Sequence, residues 1–253
     1  MLRRAKDLAL QTLRGARAVL FGPSPASPIV TVGDVVLKAD TEASKHYFDF
    51  HATGAVVWPA THALCDYLIS RPHMQAQLQG ARVIELGAGH GLAGLAAAAL
   101  GARSVCLTDR LVPRLTRDPA QPVVKSEVQL DTLRRTAKEN ELALPHCILD
   151  VEELAFGDTS HAERVLQSHG PFDVVLGSDV SFYGPYIPLL VRSLVTLCSE
   201  SSTVVLAHAR RRAALEEMLV QELEAHDFEV AVAQAHDDSI AIVECSLRRP
   251  ASV

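Results

Sequence analysis

The chain predicts an α/β fold: a mostly parallel sheet with helices on both faces, closed by an antiparallel hairpin strand at its C-terminal end. Three observations predict it. Apolar runs of strand length alternate with helical ones through the middle of the chain. Two late strand-like runs, Phe228 to Gln234 and Ser239 to Ser246, are separated only by Ala-His-Asp-Asp, too short for a crossover between parallel strands. Val83 to Gly91 reads Val-Ile-Glu-Leu-Gly-Ala-Gly-His-Gly, a buried strand carrying a carboxylate and running into a glycine turn.

In chain order, residues 1–27 hold Arg3, Arg4, Lys6, Arg14 and Arg17 against one acid, Asp7. On a helix, Leu2, Ala5, Ala9, Leu13, Ala16 and Leu20 share a face. The segment suits either a mitochondrial presequence or an extra helix on the domain, followed by the Gly22 to Pro28 linker. Residues 28–253 are expected to be one domain. Pro59 opens a helix continued by Thr61 to Ile69. After the glycine turn, the alanine-rich run Leu92 to Leu100 forms a helix whose first N–H groups face the turn. Then come a strand at Ser104 to Leu107, a helix at Lys125 to Glu139 and a strand at His146 to Leu149. Strands at Phe172 to Gly177 and Thr203 to Ala207 follow, with helices at Tyr186 to Leu197 and Arg211 to Ala225. Residues 111–124 and 152–170 read as inserted loops over the carboxyl edge of the sheet, where insertions shape substrate choice.

The glycine turn fits two registers. Gly89, Gly91 and Gly94 match the dinucleotide pattern G-x-G-x-x-G, with Asp109 as the acid about 20 residues on. Gly87, Gly89 and Gly91 instead follow Glu85 as E-x-G-x-G-x-G. A carboxylate there repels the phosphates of a dinucleotide and suits a sulfonium cofactor carrying an ammonium group. The second register points to S-adenosylmethionine. Asp109 ends its strand at the edge where open sheets bind ligands, and is expected to accept hydrogen bonds from ribose hydroxyls; the plainer alternative is a helix cap or an ion pair with Arg110 or Arg114.

With the C-terminal hairpin, these features resemble the seven-strand, Rossmann-like lysine methyltransferases of methyltransferase family 16, from about Thr41 to Leu247. Three segments carry the resemblance: Gly54 to Ala60 around Trp58; the glycine turn with Glu85 and Asp109; and Gly177-Ser-Asp-Val-Ser-Phe-Tyr183, where Asp179 to Phe182 matches a D-x-x-[YF] motif. It implies a seven-stranded sheet, S-adenosylmethionine as cofactor with S-adenosylhomocysteine as product, and a protein substrate carrying the target lysine. It implies that the Trp58 ring lines the cofactor site, although a single tryptophan is more often core. It also implies that the backbone at Gly87, Ala88 and Gly89 meets the methionine moiety. Asp150 is expected at the ligand edge near adenine, where the family places a tryptophan next and this chain has Val151.

Ser178, Asp179, Phe182 and Tyr183 complete that edge. Methyl transfer needs alignment and desolvation of a neutral amine. Asp179 is expected to hold the amine and stabilise the developing ammonium, with the Phe182 and Tyr183 rings narrowing the channel. A carboxylate by itself favours the charged lysine, so the proton is expected to leave to water without a dedicated base. The competing reading has Asp179 capping a helix and the rings packing.

An apolar content of 48% suffices for a sheet buried on both faces. The net charge of −6 argues against a nucleic-acid binder. Arg210, Arg211 and Arg212 read equally well as a basic patch or as a helix start in solvent. Cys65, Cys106, Cys147, Cys198 and Cys245 lie singly in apolar runs, as reduced thiols do. The 11 histidines show no ligand spacing, so no metal is expected, and turn exposure accounts for His90. No membrane span is expected. The expected protein is monomeric and cytoplasmic, or mitochondrial if residues 1–27 are a presequence. Two rivals stand beside the lysine enzyme. One is a methyltransferase for histidine, arginine or a small molecule; the other is a non-catalytic binding module, favoured by the missing aromatic after Asp150.

Overall fold

The computed structural model describes residues 28–40, 56–110, 112–114, 124–126, 128–235 and 237–248. The amphipathic segment 1–27 and most of 111–123 lie outside the described residues. The first described elements are a hairpin of β1 (Ile29–Val32) and β2 (Val35–Lys38), then α1 (Pro59–Ser70) and α2 (Pro72–Leu78). The sheet-forming part alternates β3 (Arg82–Leu86), α3 (Leu92–Ala99), β4 (Ser104–Asp109), α4 (Val128–Asn140) and β7 (Ile148–Glu153). It continues with α5 (Thr159–His169), β8 (Val174–Ser178), α6 (Ile187–Leu197), β9 (Thr203–Ala209) and α7 (Ala213–Ala225), and ends on β10 (Phe228–Gln234) and β11 (Ile240–Leu247). Between β4 and α4, β5 (Val112–Arg114) and β6 (Val124–Ser126) pair as a small antiparallel ribbon where a plain loop was expected.

The central sheet has seven strands in the order β10-β11-β9-β8-β3-β4-β7. The inner strands are parallel, and β11 runs antiparallel to both β9 and β10. The expected seven-stranded α/β architecture with a reversed C-terminal strand is therefore the fold. Alternation along each strand sends side chains to two cores. Val83, Val105, Leu107 and Leu176 pack on one face with α1 and α3. Ile84, Leu86, Cys106 and Val175 pack on the other with α5, α6 and α7. The α3 run Leu-Ala-Gly-Leu-Ala-Ala-Ala-Ala is apolar all round, and it is buried almost throughout.

Two expectations about elements are corrected. Residues 159–169 form α5, capped by Asp158, whose carboxylate accepts from the His161 N–H. Ala162 and Val165 on one side dock it. The strand expected to stop at Leu149 instead runs to Glu153. It is the edge strand, so Leu149 and Val151 pack inward while Asp150 and Glu152 face the half-buried His169 side chain. Among the described residues no helix is long and apolar enough to cross a membrane.

Candidate active site

Where β3, β4, β7 and β8 end, their carboxyl edges enclose a cavity of about 280 Å³, near the lower end of the range for small-molecule sites, roughly 300 Å³ upward. The glycine turn forms its floor through Gly87, Ala88 and Gly89. That turn is tied on both sides. The Gly89 N–H donates to Asp109 Oδ2 at 2.9 Å, and the Gly89 carbonyl accepts from Gln129 Nε2 of α4 at 2.7 Å. Asp109 Oδ1 takes the Arg110 N–H at 2.7 Å. Burial raises the Asp109 carboxyl above its ordinary pKa, with both N–H contacts opposing that.

The expected residues Trp58, Ser178, Asp179 and Phe182 line the same cavity, together with the glycine turn and Asp109. Ser178 Oγ and Thr61 Oγ1 are 2.9 Å apart, joining β8 to α1. Asp179 is not a free carboxylate. Arg211 Nη1 donates to its Oδ1 at 2.6 Å and Arg211 Nη2 to its Oδ2, and the two side chains are only 4% and 8% exposed. The Arg211 guanidinium also lies 5.8 Å from the centre of the Trp58 ring. Asp179 adopts φ 56°, left-handed for a residue other than glycine, with its N–H bonded to the Ala207 carbonyl at 2.8 Å.

Among the described residues, Glu85, Gly91, Asp150, Val151 and Tyr183 lie outside the lining. Glu85 is fully buried beneath α3, where its Oε2 accepts the Gly94 N–H at 2.7 Å. Burial pushes its pKa up to about 8. It serves the helix rather than a ligand's ammonium. Gly91 starts α3, with the Leu107 and Leu133 side chains filling the space a Cβ would need. Asp150 and Val151 sit within β7, opposite Cys106 and Leu107, two to three residues short of the ligand edge, and Asp150 lies 3.6 Å from His169. Tyr183 is 45% exposed and packs edge-on against Tyr186, whose ring reaches the cavity in its place. His90, expected in solvent, is 3% exposed and lines the cavity.

Sequence reasoning missed two further residues. Because β7 runs on to Glu153, Leu154, Ala155 and Phe156 occupy the edge position assigned to Asp150 and Val151. Phe156 therefore brings an aromatic ring to the cavity lining, which Val151 does not reach. The signal was present as an aromatic just after the apolar strand, but the misplaced strand end hid it. Arg211 was grouped with Arg210 and Arg212 as a basic patch or a solvent-exposed helix start; those two are at the surface, Arg210 paired with Glu216, while the Arg211 side chain turns inward to Asp179.

Residues 44–226 match the family described as lysine methyltransferase. Protein N-lysine methyltransferase METTL21A of Danio rerio is 35% identical over 185 residues, 73% of this chain and 72% of that one. EEF1A lysine methyltransferase 3 of Mus musculus is 31% identical over 184 residues, 73% and 68% of the two chains. Two solved structures share the fold. Magnesium protoporphyrin IX methyltransferase (ChlM) of Synechocystis PCC 6803, with bound SAH, has a TM-score of 0.51 at 15% identity, over 74% of this chain and 82% of that one. Ribosomal protein L11 methylase of Lactobacillus delbrueckii subsp. bulgaricus has a TM-score of 0.51 at 14% identity, over 87% and 99%. On the match across residues 44–226 and the two relatives above 30% identity, the chain belongs to the lysine methyltransferase family.

Proposed function

We propose that this protein transfers a methyl group from S-adenosylmethionine to a lysine side chain of another protein, and that the cavity beside the glycine turn is where it does so. One observation carries the reading: the glycine turn, Asp109 and the Asp179 to Phe182 segment converge on one cavity at the carboxyl edge of the sheet. The residues fit the cofactor. Asp109 keeps acceptor lone pairs for sugar hydroxyls, Phe156 and Trp58 offer rings, and the turn brings bare backbone to the cavity wall.

When bound, S-adenosylmethionine supplies an electrophilic methyl group on a positively charged sulfur. The chain's own residues do the rest by holding and drying the reactants. Asp109 and the Gly87 to Gly89 backbone would hold the sugar and methionine ends. Phe182 and Tyr186 narrow the approach and exclude water. Asp179, fixed by Arg211, still has lone pairs for one N–H of the acceptor amine. With Asp179 accepting one of its N–H groups, the free amine would keep its lone pair for the methyl group that the bound cofactor would supply, and the proton of the resulting ammonium would leave to solvent. The enzyme acts as a monomer on a protein partner that presents an exposed lysine.

The test is incubation of the full chain with methyl-tritiated S-adenosylmethionine and an extract of cells lacking it. Label is expected in protein, recovered as methyllysine after hydrolysis. Label confined to small molecules, or recovered on histidine or arginine, would overturn the lysine assignment. Asp179→Ala should lower incorporation by about 100-fold or more while S-adenosylhomocysteine still binds. Full activity in that variant would remove Asp179 from the acceptor site.

A further inference from the structure

Building on the lysine reading of this cavity, we propose that Arg211 is a positioning residue that keeps the acceptor site electrically neutral, so that the target lysine is bound as the free amine. The difficulty it answers is physical. A buried carboxylate facing the acceptor attracts an ammonium and raises the pKa of the lysine, which is the wrong direction for a nucleophile. Asp179 is such a carboxylate, buried and lining the cavity.

Arg211 removes the problem at its source. Its two terminal nitrogens grip both Asp179 oxygens in the parallel fork geometry that guanidinium and carboxylate share. Its Nε is buried without a hydrogen-bond partner among the described residues, so the side chain is not part of a wider network that would explain its burial. The Trp58 ring beside it limits its swing.

The other charged and titratable groups around the cavity do not undo this balance. From the end of β4 come Asp109, held by two backbone N–H groups, and Arg110, which sits 5.8 Å from the centre of the Tyr186 ring. His90 comes from the glycine turn. Behind Asp179, His208 of β9 bonds Ser181 through Nδ1 at 2.7 Å, and burial lowers its pKa, favouring the neutral ring. Arg210 and Glu216 neutralise each other at the surface. Among the described lining residues two acids, Asp109 and Asp179, therefore face two arginines, Arg110 and Arg211. An ammonium entering such a site loses hydration and gains no net countercharge. A free amine loses little, and it can still donate one N–H to Asp179. The lysine proton thus passes to solvent water before the N–C bond forms, without a dedicated base.

The experiment is a pH profile, from 6.5 to 9.5 in steps fine enough to place a limb (about 0.5 unit), of label entering the principal methylated protein at limiting substrate. Wild type, Arg211→Gln, Arg211→Lys and the double variant Asp179→Asn/Arg211→Gln are compared, with S-adenosylhomocysteine binding measured calorimetrically for each. In R211Q the rising limb should move up by about one pH unit or more, the rate near pH 7 falling about tenfold and recovering by pH 9. R211K keeps the charge and should keep the limb. The double variant removes both charges and should bring the limb back toward the wild-type position, at a lower plateau. Cofactor-product affinity should stay within about threefold throughout.

A rate lowered by one factor at every pH in R211Q, or an R211K limb displaced like that of R211Q, would overturn the proposal in favour of a purely structural Arg211. So would loss of S-adenosylhomocysteine binding in R211Q, which would assign Arg211 to the cofactor. If R211Q does not fold, R211K and the double variant decide, since the proposal requires an unmoved limb in both. Failure of wild type to label protein at all would instead remove the lysine reading itself.

Discussion

Glu85 and Asp179 show how far one residue's chemistry depends on what surrounds it. Both are acids at strand ends flanking the cavity, and both were expected to meet charged ligands. Glu85 turns under α3 to take one backbone N–H, and its Oε1 is buried without a partner among the described residues. Its pKa near 8 in the fold, against about 4.5 for an ordinary glutamate, has a consequence for stability. Between those values the folded protein holds a proton that the unfolded chain has released, so stability is complete below pH 4.5 and is lost as pH rises through 8. Glu85→Gln cannot titrate and keeps an acceptor for Gly94. Between pH 5.5 and 8.5 the wild-type Tm should therefore fall relative to that of E85Q, by at least ~4 °C in thermal melts. Equal pH slopes would mean that the carboxyl is ionised in place. The type of residue at 85, 109 and 179 was legible in the sequence. Their partners were not, because Arg211 and Gly94 reach them through packing that spacing along the chain does not encode.

At the scale of elements, the junction from β3 to α3 is the most constrained. Gly91 starts the helix at φ 75°, and a Cβ there would stand 2.9 Å from Cδ1 of both Leu107 and Leu133. Gly33, in the turn between β1 and β2, has φ 56° but open space around it. Gly33→Ala should cost only the backbone term, about 1 kcal/mol. Gly91→Ala should cost roughly 1–3 kcal/mol more, because the clash is with buried side chains of β4 and α4. Urea midpoints at unchanged m-value would measure both, and equal losses would show that the packing at Gly91 yields. Most elements were legible because apolar period and punctuation agree. Two misses share one cause: in α5 and at the end of the edge strand β7 one side faces water, and polar residues interrupt the apolar pattern without ending the element.

Across the whole molecule, the cavity draws on the glycine turn, β4, β8 and the segments that follow β7 and β9 at once, so a ligand filling it stabilises the folded state and not the unfolded chain. S-adenosylhomocysteine at about 100 times its Kd should raise Tm by about 5–10 °C, and NAD should not. A shift with NAD alone would return the site to the dinucleotide register of the same glycines. What the sequence by itself determined was the fold class, the reversed last strand and the cofactor turn, because local spacing and hydrophobic period dictate which strands pair and where a backbone can approach a ligand. Only the tertiary structure decided which acids face the cavity, that Phe156 and not Val151 walls it, and that Asp179 arrives already paired. Those outcomes depend on residues far apart in sequence being brought within a hydrogen bond, as Arg211 and Asp179 are, at a separation of 32. Long-range packing sets such pairings, and no local pattern records them.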